Sequence, residues 1–130
     1  MYHRTTRSIQ VNVETTYMDE ESEPDRDYFF WAYTINIENT GDEEVQLRAR
    51  HWKITDAFGR TREVQGDGVV GEHPILSPGD SFEYTSGVPL RTPSGIMVGS
   101  YEMQTEMGES FTVSIPAFSL DCRYDYGRVH

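Results

Sequence analysis

The chain has 130 residues, of which 22 are Asp or Glu and 11 are Lys or Arg, for a formal net charge of −11. A field of that sign repels nucleic acid and anionic membranes, so contact with either needs a local basic exception. The length suits one domain with a real core, no apolar run reaches membrane-spanning length, and MYHRTTRSIQ lacks the apolar stretch of a signal peptide. The single cysteine, Cys122, excludes an internal disulfide, so the chain reads as a soluble cytoplasmic protein.

Taken in order, the apolar residues repeat with a period of two. In SIQVNVETTY, Ile9, Val11 and Val13 share one face of a strand. DEESEPDRD, residues 19–27, then reads as a solvated acidic hairpin loop. It lacks the central glycine and closing glutamate of a calcium loop, and Pro24 interrupts it, so it attracts a divalent cation weakly at most. FFWAYTINIEN sets Phe29, Trp31, Tyr33, Ile35 and Ile37 on one face.

The next strand, VQLRARHWKITDAF, is irregular. Its inward set begins as Val45, Leu47 and Ala49 and continues as Trp52 and Ile54. A period of two changes parity only through an inserted residue, which predicts a β-bulge near Arg50 and His51. The alternation returns in SFEYTS, MVGSYEMQT and SFTVSIP, with Phe82, Tyr84, Met97, Tyr101, Met103, Phe111, Val113 and Ile115 pointing inward. NTGDEE, DAFGR, LSPGD, RTPSG and EMGES separate the runs with turn chemistry. Seven or eight short strands and no helix predict an all-β sandwich or barrel, with a polar tail over 121–130.

GDGVVG places Gly66, Gly68 and Gly71 in the G-x-G-x-x-G spacing of a phosphate loop. A dinucleotide site needs a helix opening on the last glycine. Here EHPILSPGD follows, with Pro74 and Pro78, and Asp67 and Glu72 put carboxylates where phosphate oxygens would lie. The glycines then serve positive φ or close backbone approach, with a backbone anion nest as the alternative.

Charge of the other sign gathers over residues 45–65, where Arg48, Arg50, Lys53, Arg60 and Arg62 stand against Asp56 and Glu63, five against two, or +3. A DAFG hairpin would bring Lys53 and Arg62 together across the strands. With His51 these residues are the candidate docking surface for a phosphate, an acidic peptide or RNA, or else a charged guard on a sheet edge. Catalysis has little support. His51 and His73 stand alone, no G-x-S-x-G surrounds Ser86, and Cys122 lies in the polar stretch DCRYDYGRVH. No histidine pair has metal-ligand spacing, and no cofactor is expected.

YTINIENTG (33–41), LRARHWKITDAFG (47–59), EVQGDGVVGEHPILSPGDSFEYTSG (63–87), GIMVGSYEM (95–103) and FTVSIPAFSL (111–120), in that order, resemble the bacterial ApaG family from about Ser8 to Leu120. The resemblance implies an immunoglobulin-like or fibronectin type III-like β-sandwich and an association with cobalt and magnesium efflux or resistance. It attaches no catalytic residues and favours a binding role through a protein partner. The alternative it leaves open is a small-ligand binder for a polyphosphate, a nucleotide or a divalent cation.

Overall fold

The computed structural model describes residues 2–122. Among them run nine strands: β1 Tyr2–Thr6, β2 Ile9–Tyr17, β3 Phe29–Asn39, β4 Val45–Asp56, β5 Thr61–Asp67, β6 Ile75–Leu76, β7 Ser81–Leu90, β8 Ser94–Thr105 and β9 Ser110–Asp121. Two antiparallel sheets pack face to face, one in the order β1-β2-β3-β7 and the other β5-β4-β8-β9, with β6 paired to β4. The immunoglobulin-like sandwich is therefore present, with more strands than alternation alone suggests. β1 and the two-residue β6 are too short or too exposed to alternate visibly. The structured core also runs wider than 8–120. β1 adds a strand before it, and Cys122, 4% exposed, packs into the core rather than lying in a polar tail. The rest of that tail, residues 123–130, and with it His130, lies outside the described residues.

The alternation does the structural work. Every second residue of β3, from Phe29 to Asn39, is buried, and its intervening neighbours are half-buried. Ile9, Val11, Trp31, Ile35, Ile37, Leu47, Met97, Tyr101, Met103, Val113, Ile115, Phe118 and Leu120 fill the space between the sheets. Trp52, Tyr33 and Phe118 meet there at ring-centroid distances of 5.6 to 6.0 Å. Trp52 fits because Gly99 lies opposite it. A Cβ on Gly99 would come within 2.4 Å of the indole Cε3.

The bulge in β4 exists but sits earlier than the sequence suggests. The register against β8 shifts between Leu47 and Ala49, making Arg48 the inserted residue. Ala49, small and only half-buried, gave no clear side, so its parity misled. A second irregularity, between β8 and β9, turns the inward set of β9 from Val113 and Ile115 to Phe118 and Leu120. Pro116, which has no N–H to pair, sits at the change. Among the described residues no helix is long and apolar enough to cross a membrane.

Candidate functional site

The glycine loop follows β5. Gly66 still belongs to the β4–β5 ladder, opposite Arg50. A Cβ there would meet the Arg50 guanidinium at 2.8 Å. Gly68 has φ +62, and a Cβ would lie 2.2 Å from the Glu72 carbonyl oxygen. Val70 and Gly71, with φ +42 and +81, close a two-residue turn between Val69 and Glu72. Glycine is thus required at Gly68 by close backbone approach and favoured at Gly68 and Gly71 by positive φ, whereas at Gly66 a side chain would displace the flexible Arg50 guanidinium.

The polarity of this loop is the reverse of a phosphate cradle. The Gly68 N–H donates to the Arg48 carbonyl at 2.9 Å, and Val69 and Glu72 exchange backbone hydrogen bonds of 2.9 and 2.8 Å. The Asp67 and Gly68 carbonyls instead accept from Arg50 Nη1, at 3.0 and 2.9 Å. The loop wraps a cation supplied by its own chain.

The basic segment does not form one face. Its hairpin has a three-residue loop, Ala57 to Gly59, closed by a Gly59 N–H to Asp56 carbonyl bond of 3.0 Å, with Gly59 at φ +83. That loop sets Lys53 opposite Glu63 and Ile54 opposite Arg62. The expected Lys53–Arg62 pairing needs a loop one residue shorter. One residue of register moves a side chain to the other face of the sheet. Arg48, His51 and Lys53 therefore face outward, where Arg48 Nη1 donates to Gln46 Oε1 at 3.2 Å and His51 Nε2 lies 2.8 Å from Glu63 Oε1. Arg60, at the turn, donates from Nε to Asp56 Oδ2 at 2.9 Å and stacks over Phe58. Burial alone would raise the Asp56 carboxyl, but bonds from the Arg60 and Phe58 amides and the Arg60 guanidinium hold it below its usual value.

Arg50 and Arg62 go the other way, into the gap between the sheets. Arg62 Nη2 donates to the Pro89 carbonyl at 2.9 Å, joining the edge of one sheet to the edge of the other. On either side of this bridge the gap opens. A slot of about 200 Å³ has Tyr33, Trp52 and Met97 in its lining, with Arg50, Val64 and Ser86. A wider pocket of about 440 Å³ lies beyond, between Tyr28, Ile54 and Leu90 on the apolar side and Arg60, Arg62 and Arg91 on the charged side. Both share Ile54, Arg62 and Pro89, so they form one groove between β5 and β7. Among the described residues four arginines and the Asp56 carboxylate line it, and Asp27 stands in the adjoining recess that shares Arg60 and Arg91.

Beneath Arg50 three tyrosines stack their polar ends. The Tyr84 and Tyr101 hydroxyls hydrogen-bond to each other, and Tyr33 lies opposite Ser86 across the β3–β7 ladder. Burial pushes all three above the ordinary tyrosine value, partly countered by the Arg50 charge. They are neutral hydrogen-bonding groups, positioned to hold the groove floor.

Sequence reasoning thus finds Arg50, Arg60 and Arg62 but misses Arg91, in a stretch read only as turn, and Tyr28, between the acidic loop and the next strand. The remaining candidates do not converge on the groove. His51 is engaged on the outer face, the His73 carbonyl accepts from Gln46, and Cys122 is buried beside Pro93. The acidic stretch forms two short 3-10 turns, Asp19–Glu21 and Pro24–Arg26, with no buried residue. Among the described residues no three His, Cys, Asp or Glu side chains gather where a metal could bind.

Comparison with known proteins matches residues 19–105 to a family described as the ApaG domain. The protein ApaG of Parvibaculum lavamentivorans is 60% identical over the full length of both chains. That of Rhodospirillum centenum is 59% identical over 128 residues, 98% of each. A Bordetella pertussis crystal structure described as ApaA superposes with a TM-score of 0.86 at 46% identity, covering 88% of this chain and 94% of its own. The C-terminal domain of wzt, at 9% identity and TM-score 0.53, shares the fold alone.

Proposed function

The chain belongs to the ApaG domain family, and from that premise we propose that it is a cytoplasmic, non-enzymatic docking module whose groove between β5 and β7 receives a protein partner. One observation carries the reading. In a molecule of net charge −11, Arg50, Arg60, Arg62 and Arg91 line one groove, mainly apolar in its wider part, against the carboxylates of Asp56 and, in the adjoining recess, Asp27. Concentrated positive charge beside exposed Tyr28, and Phe58 at 77% exposed, is costly to keep without a purpose. Aromatic side chains and arginine are also the residues that anchor partners.

Docking of this kind supports the binding role that the resemblance implies. The cobalt and magnesium association enters it only indirectly, as a property of whatever partner is held. The glycine loop, with its carbonyls turned to Arg50, supports the groove rather than a nucleotide.

The test is a selection of displayed peptides on the whole protein, repeated on two charge-reversed variants. Sequences enriched on the wild type should be lost with Arg62→Glu plus Arg91→Glu. They should persist with Arg48→Glu plus Lys53→Glu, which reverses the outer face. Retention on the groove variant, with a native unfolding curve, would overturn the reading.

A further inference from the structure

Resting on the groove reading, we infer that the partner is held by strand addition: an extended segment pairs with the free edge of β7 and alternates acidic with uncharged residues, its acidic side chains pointing into the groove. β7 pairs with β3 along one side, and among the described residues no strand pairs with its other side. In an antiparallel strand, successive residues turn their N–H and C=O alternately toward the neighbour and away from it. The Pro89 carbonyl is turned away from β3, because it receives Arg62. Gly87, Thr85 and Glu83 therefore present their N–H and C=O groups the same way. Pro89 has no N–H and its carbonyl is engaged, so pairing ends there, and the available ladder is Glu83 to Gly87.

A strand on that edge would direct every second side chain into the groove. The facing wall, β5, sets the pattern they meet. Arg62 and Val64 point inward, and Gly66 follows with the Arg50 guanidinium lying over it. These stand ~7 Å apart, the same-face repeat of a strand. The matching inward sequence is acidic, apolar, acidic, with polar residues between to face solvent. The acids oppose Arg62 and Arg50 and the apolar side chain meets Val64 above Trp52. β5 is the poorer acceptor. It carries two carboxylates, Glu63 and Asp67, on its outer face against the one, Glu83, along the β7 ladder, so it repels an acidic segment more.

The experiment is an amide NMR titration of the whole protein with the capped peptide Thr-Asp-Thr-Val-Thr-Asp-Thr. Three of its four Thr residues would fall opposite Glu83, Thr85 and Gly87. Saturable shifts at those three amides are expected. N-methylation of the Thr amides should weaken binding about tenfold or more, by removing ladder donors. Replacing Asp by Asn should weaken it comparably, and Arg62→Glu protein should prefer the Lys-for-Asp peptide. Shifts that follow Thr61, Glu63 and Gln65, an N-methylated peptide that binds equally well, or no saturable shift would each overturn strand addition. The groove reading itself stands or falls separately, on the peptide selection.

Discussion

The two open sides of the sandwich are built differently. On one side β1 and β9 lie together. The Tyr2 hydroxyl is 2.9 Å from Ser119 Oγ, the Thr6 hydroxyl accepts from the Ser114 N–H at 3.4 Å, and the Tyr2 ring packs on Phe118. Arg7 closes the adjacent corner, bonding Glu109 twice and covering Phe111. On the other side β5 and β7 stay apart; Arg62 bonds across to Pro89, and at the end of the gap the Ala57 N–H donates to Thr92 Oγ1 at 3.1 Å. Hydroxyls seal the first side, whereas arginines line the second. A sandwich used only as a scaffold could seal both. Charge on an unsealed edge discourages random pairing while it selects for an acidic partner, so one set of arginines serves both ends.

The largest effect expected is on the floor of the open side. Trp52→Ala removes the indole that fills the space above Gly99 and should cost about 3–5 kcal/mol in denaturant unfolding. A near-wild-type midpoint would show that the floor is not part of the core. Next is Tyr84→Phe, which leaves the Tyr101 hydroxyl buried without its partner, for about 1–3 kcal/mol by the same assay. Val70→Asn works in the opposite direction. Valine at φ +42 is strained in a turn that favours Asn-Gly, so asparagine should stabilise by about 1 kcal/mol in thermal unfolding.

The smallest effect belongs to the sealed side. Arg7, chiefly by hydrogen bond and then by charge, holds the Glu109 carboxyl below its usual value. A depressed carboxyl stabilises the fold above its unfolded value, near pH 4.5, and loses that contribution as pH falls through the folded value. Glu109→Gln should therefore lower stability slightly at neutral pH and flatten the acid limb of the stability curve. An unchanged acid limb would show the pair to be fully screened.

Much of this was legible in the sequence. The alternation in FFWAYTINIEN and SIQVNVETTY gives the faces of β2 and β3 correctly, since a half-buried antiparallel strand writes its burial into every second residue. The change of parity in β4 announced a bulge, and the same signal stood unread in β9, where Val113 and Ile115 give way to Phe118 and Leu120. The site was less legible. Which face a basic residue occupies depends on one residue of loop length, and Gly59 added that residue. Arg91 lies in RTPSG, and only the pairing of β7 with β3 carries it to the groove that Arg62 reaches from the other sheet. Composition marks the arginines, but tertiary register decides which of them meet.

The measurement that bears most directly on the contrast between the two sides is amide mapping of a selected peptide on the labelled protein. Perturbations should run along the inner groove, at Ile54, Arg62, Val64 and the residues from Glu83 to Arg91, and leave Tyr2, Thr6, Ser114 and Ser119 unmoved. Shifts centred on the β1–β9 side, or on the outer face at Lys53 and Val98, would contradict the account.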